Sequence, residues 1–156
     1  MVSSSDADKR LTTLGLELPP PVMPFGEYVE SAQVGNLLFL TGALPVLGRD
    51  MKYHGRIGAE LDTAQGRAAT RLAALNALVT AKEHLGSLNR VTRVVRLGVM
   101  LATSGDRVEH PKIADAASEL FRDVFGSAKN PVRLVYGVAS LPFNAPVELD
   151  VIFEVA

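Results

Sequence analysis

The sequence contains no cysteine. That excludes disulfides, thiolate nucleophiles and Cys-ligated metal, and it fits a cytoplasmic setting, where thiols stay reduced. No run approaches the roughly 20 apolar residues of a membrane span. The opening MVSSSDADKR lacks the apolar core of a signal peptide. Neither sign of charge dominates: 16 Lys and Arg against 17 Asp and Glu leave a formal net charge of −1. No global basic field therefore recruits nucleic acid or an anionic membrane. His54, His84 and His110 are isolated, without the spacing of metal ligands, so no metal is expected. No Gly-rich phosphate loop follows a strand, and no Ser/His/acid triad is suggested.

What is present reads as one soluble domain. The 156 residues are 47% hydrophobic and 21% charged, enough to bury roughly two-thirds of the unfolded surface. Residues 1–10 are polar and expected to fray. Leu11, Leu14, Leu16 and Leu18 allow a short helical turn, and Pro19, Pro20 and Pro21 impose an extended connector. Tyr28 to Gln33 and Leu37 to Thr41 read as a hairpin turning at Val34-Gly35-Asn36. Residues 48–59 are Gly-rich and polar, a loop with room for a short edge strand. Asp62 and Gln65 form a capping-box pattern that opens a helix to about Leu85, stopped by Gly86. Ala64, Ala68, Leu72, Leu75 and Val79 are its expected apolar stripe. Arg67 and Arg71 are expected on its solvated face. Val91 to Leu101 reads as a strand apolar on both faces, with Val91, Val95, Leu97, Val99 and Leu101 together. Pro111 marks the start of a second helix running to Phe125, with Ile113, Ala117, Leu120, Phe121 and Val124 as its stripe.

The last stretch, Asn130 to Ala156, reads as two strands joined by a Pro-containing loop. In the second, Val147, Leu149, Val151, Phe153 and Val155 alternate with Glu148, Asp150, Ile152 and Glu154, the pattern of a half-buried strand. In the first, Val132 to Ser140, Arg133 is a lone guanidinium that needs an anionic partner. Glu154 or Asp150 on a neighbouring strand would satisfy it, and a simple hairpin would set it near Glu154 rather than Glu148. The order strand, strand, helix, strand, helix, strand, strand predicts an α+β fold, a mixed sheet with two helices on one face. Strands apolar on the other face as well predict oligomerisation through the sheet.

The segments Phe25-Gly26-Glu27-Tyr28-Val29, Val34 to Gly42, Thr63 to Arg67, Asn130-Pro131-Val132-Arg133, Leu141-Pro142 and Val147-Glu148-Leu149 occur in the order and spacing of a known signature. They resemble the Rid (YjgF, L-PSP) family of enamine/imine deaminases, over residues 25–156, with residues 1–24 as an N-terminal extension. The resemblance implies a chorismate-mutase-like fold, a homotrimer and sites in clefts between subunits. It implies that Arg133 binds a substrate carboxylate, that Glu148 serves the hydrolytic water, and that Tyr28, Thr41, Gly42 and Val135 line the cleft. Ala43, Leu134 and Val135 stand where many members carry Gln, Ser and Cys or another small polar residue, so the pocket lining is altered.

The implied chemistry is hydrolysis of a 2-aminoacrylate or imino acid, with no cofactor. A guanidinium suits the carboxylate because it pairs with it in a planar, bidentate way. Glu148 suits a general base, and backbone groups near Thr41 and Gly42 suit the amine or developing charge. Two other readings stand beside it: a binder of a small carboxylate metabolite in the same cleft, and the ribonuclease activity recorded in the L-PSP name. Balanced charge and few paired basic and aromatic residues weigh against nucleic acid as a partner.

Overall fold

The Asp62 carboxylate accepts a hydrogen bond from the Gln65 backbone N–H at 2.8 Å, and the Gln65 side-chain oxygen accepts from the Asp62 N–H at 2.9 Å. This capping box starts helix α2, Thr63–Leu85, which ends at Gly86 with φ of 82°, a left-handed conformation glycine adopts without steric cost. In the computed structural model, which describes residues 6–156, α2 packs beside α3 (His110–Phe125) on one face of a five-stranded sheet. The sheet comprises β1 (Ser31–Val34), β2 (Leu37–Leu40), β5 (Val91–Ala102), β6 (Val132–Val138) and β7 (Val147–Val155), in the spatial order β1-β2-β7-β5-β6. Only β5 and β6 run parallel, joined through α3. The other neighbours are antiparallel. The architecture is the expected α+β with a mixed sheet. A separate two-stranded hairpin, β3 (Val46–Leu47) with β4 (Asp50–Met51), occupies the polar loop.

Three details depart from expectation. Residues 7–10 are not frayed: Ala7–Thr13 form a third helix, α1, whose Ala7 and Leu11 enter the main core. Ser87 Oγ donates to the Asp8 carboxylate at 2.5 Å and anchors that helix. The frayed expectation for residues 1–5 lies outside the described residues. Second, the terminal strands are not a hairpin, because the crossover through α3 sets β6 parallel to β5 and β7 pairs with the opposite side of β5. Third, β5 carries register shifts between Val91 and Arg93 and between Val94 and Arg96. Each extra residue resets the alternation, so Val94 takes the core place expected of Val95.

The core lies between the sheet and the helices. Ile113, Ala117, Leu120, Phe121 and Val124 of α3 are fully buried, as expected. On α2 the buried row is Ala69, Ala73, Ala77 and Ala81 with Leu78, while Ala64 and Ala68 are exposed. Arg67 is not simply solvated. It pairs with Glu119 of α3 at 2.8 Å and ties the two helices together. No helix among the described residues is long and apolar enough to cross a membrane. The other sheet face is open and carries Val132, Leu134 and Tyr136 of β6 and Phe39 of β2, all 40% or more exposed.

Candidate functional site

Strand β7 turns Val147, Leu149, Val151, Phe153 and Val155 into the core. The alternation therefore sends Glu148 to the open face. There its carboxylate lies against Gly42: a Cβ at that position would run into the Glu148 Oε1. The contact is fixed by backbone, since the Ala43 N–H donates to the Leu149 carbonyl at 2.8 Å and the Leu149 N–H donates to the Ala43 carbonyl at 2.9 Å. Burial pushes the Glu148 carboxyl above its ordinary range, because a carboxylate partly withdrawn from water favours its neutral form.

Thr41 and Gly42 continue from β2, and the Thr41 N–H donates to the Glu30 carbonyl at 2.8 Å. The Tyr28 hydroxyl accepts from the Phe25 N–H at 2.8 Å. Tyr28, Thr41 and Gly42 line one small cavity with Glu30 and Asn76. Three of the residues expected at the site, Tyr28, Thr41 and Gly42, thus share one cavity, while Glu148 does not line it and meets Gly42 from the open face.

Arg133 and Val135 stand elsewhere. Both turn to the helix side of β6, where Val135 packs against the main core. Arg133 Nη1 donates to the Asp115 carboxylate at 2.6 Å and to Ser118 Oγ at 3.2 Å, both on α3. Arg133 therefore does not share the open face with Glu148, and the expected partners Glu154 and Asp150 are corrected to Asp115 and Ser118 of α3. Strand β5 separates β6 from β7, with Arg133 opposite Leu97 and Leu97 opposite Val151. Two strand spacings and three residues along β7 put the Cα atoms of Arg133 and Glu148 about 14 Å apart, with side chains on opposite faces. One small molecule cannot touch both groups of a single subunit.

Sequence reasoning missed Asp115 and Ser118. Their i, i+3 spacing on the polar side of α3 was visible, but nothing in the sequence showed that α3 would lie over β6. It also missed Asn76, a buried polar residue at 2% exposure in the middle of α2.

The chain is similar in sequence to two curated proteins and in fold to solved structures. Protein TCP17 of Trypanosoma cruzi is 36% identical over 155 residues, which is 99% of this chain and 97% of that protein. A 2-iminobutanoate/2-iminopropanoate deaminase of Dermatophagoides farinae is 27% identical over 135 residues, 86% of this chain and 91% of that one. The crystal structure of Atu1372, a protein of unknown function from Agrobacterium tumefaciens, matches with a TM-score of 0.88 at 35% identity, covering 98% of this chain and 95% of that one. The sequence profile described as "YjgF/chorismate mutase-like, putative endoribonuclease" matches residues 8–155. Fold and profile agree, and the chain belongs to the YjgF (Rid) family.

Proposed function

We propose that the chain is a cofactor-free hydrolase of small enamines or imines that carry a carboxylate, of the 2-aminoacrylate or imino-acid type, acting in the cytoplasm. The observation that carries this reading is Glu148, a half-buried carboxylate with raised proton affinity beside the Thr41–Gly42 backbone. In the reaction, water adds to the imine carbon and Glu148 takes a proton from it. The proton passes to nitrogen to give the carbinolamine; the carbinolamine hydroxyl then gives up its proton, which also reaches nitrogen, as its oxygen forms the C=O bond and the C–N bond breaks, so that a keto acid and ammonia leave. Arg133 holds the substrate carboxylate. With Nη1 engaged by Asp115 and Ser118, its Nε and Nη2 edge offers two parallel donors to a second carboxylate.

Because Arg133 and Glu148 lie on opposite faces of one sheet, the reading requires Arg133 of one subunit and Glu148 of another. β6 is an edge strand whose exposed apolar row supplies a contact between subunits, and we propose a homotrimer in which that contact sets the rim bearing Arg133 against the Glu148 side of a neighbour. The deaminase of Dermatophagoides farinae, at 27% identity, supports the reaction class. Tyr28, Thr41, Gly42 and Val135 complete the lining in this proposal.

The test couples the protein to an enzyme that releases 2-aminoacrylate and follows the decay of that intermediate. Wild type should accelerate it, and Arg133→Ala and Glu148→Gln should each lose at least about 100-fold in kcat/KM, the usual scale for a general base. If wild type and Arg133→Ala accelerate the decay equally little, the hydrolase reading fails. A second reading, a non-catalytic binder of a small carboxylate, is favoured by the existing Arg133–Asp115 pair, because a resident carboxylate already occupies part of the guanidinium. It predicts that pyruvate raises the melting temperature of wild type but not of Arg133→Ala, with no acceleration by either. The balanced charge of the chain and the mixed Arg93, Arg96, Asp150 and Glu154 on β5 and β7 argue against a ribonuclease.

A further inference from the structure

We propose that the cavity between the Thr41–Leu44 segment and helix α2 is a binding site for one small hydrogen-bond donor, either a water molecule or an ammonium ion. The cavity measures about 20 Å³, the space one such molecule needs. Its polar lining is Tyr28, Glu30, Thr41, Asn76 and Thr80.

Asn76 sets the chemistry. Its Nδ2 donates to the carbonyl oxygens of Leu44 and Val46, both at 2.8 Å. Those two bonds use both amide hydrogens, and turning the amide over would press Oδ1 against two carbonyl oxygens. Oδ1 is therefore fixed in place. It is buried and has no donor among the described residues. Glu30 also lines the cavity, and its Oε1 is likewise buried without a donor among the described residues. Burial also raises the Glu30 carboxyl above its ordinary range, the response of a group short of compensating donors. Buried acceptors in native proteins are paired. Two residues that line a space for one molecule each keep an unpaired acceptor, and a ligand that donates at least twice would satisfy both. Water donates two hydrogen bonds and ammonium four. An anion has no place beside a carboxylate.

The site lies behind the wall whose other contact is Glu148, since Gly42 meets both the cavity and that carboxylate. If the ligand is ammonium, the site holds a product of the proposed deamination, and this link alone rests on that function. The site itself does not.

The test is a high-resolution crystal structure of the wild-type protein from sodium salts and another from ammonium salts, with melting curves in ammonium chloride and sodium chloride at equal ionic strength. A single solvent peak within hydrogen-bond distance of both Asn76 Oδ1 and Glu30 Oε1 is expected. If melting rises by about 2 °C or more in ammonium, and the rise disappears in Glu30→Gln, the occupant is ammonium. If melting is equal and the peak persists in sodium salts, it is water. An empty cavity in both crystals, or Glu30 bonded directly to Asn76, overturns the proposal. The deamination assay is independent of these outcomes. Activity with an empty cavity removes the site alone, and a filled cavity without activity removes the hydrolase reading alone.

Discussion

Glu148 and Gly42 touch because β7 and the segment after β2 exchange backbone hydrogen bonds, and the result is a carboxylate with a raised pKa. The sign of its effect on stability follows. Between its ordinary value of 4.5 and the raised folded value, the folded state binds more protons than the unfolded one, so stability falls as pH rises through that window. Below 4.5 both states are protonated and nothing is lost. Glu148→Gln should therefore melt higher than wild type at pH 7 and equally at pH 4, as measured by calorimetry, while its catalytic rate falls. An equal difference at both pH values would mean that burial of the charge is not the cause. The sequence made Glu148 visible through strict alternation, and Arg133 visible as a charge among apolar neighbours. The partner of Arg133 was not visible. Asp115 comes from a helix 18 positions earlier, and only the parallel crossover lays that helix over β6.

At the scale of elements, caps and glycines read clearly, because their chemistry is local. Asp62, Gln65 and Gly86 mark both ends of α2 and all behave as their residue types require. The phase of the same helix did not read clearly. Alanine occupies its exposed positions 64 and 68 as well as its buried positions 69, 73, 77 and 81, so the pattern offers little contrast between faces. The phase is testable. Ala68→Lys should change stability by no more than about 0.5 kcal/mol. Ala73→Leu, which adds carbons where no exposed surface remains, should cost about 1–3 kcal/mol in chemical denaturation. The reverse order would put the wrong row of alanines against the sheet. Helix α3 escaped the ambiguity because its stripe contains Leu120, Phe121 and Val124. In β5 the limit was different. A strand apolar on both faces cannot announce a bulge, and two of them exchange the places expected of Val94 and Val95.

For the whole molecule, the layer count was legible in the sequence: one sheet, helices on one side and an apolar surface left on the other. Val132, Leu134 and Tyr136 form an exposed row on an edge strand, the kind of surface a lone subunit keeps covered. Leu134→Asp would place an unpaired charge in the proposed contact and should weaken assembly at least about 100-fold. Light scattering at micromolar concentration should then report a smaller species than wild type. A wild-type monomer at that concentration would remove the shared site between subunits altogether. The strand order has a further consequence, for the way the chain is made. β7 lies in the middle of the sheet, between β2 and β5, yet of the five strands it is synthesised last. Just over 100 residues separate Leu40 from Val147, and at roughly 5–20 residues per second the nascent β2 waits about 5–20 s for its inner neighbour. Throughout that interval Leu38 and Leu40 border an unfilled edge, so the yield of soluble protein in a cell should depend on chaperones that shield half-built sheets during translation.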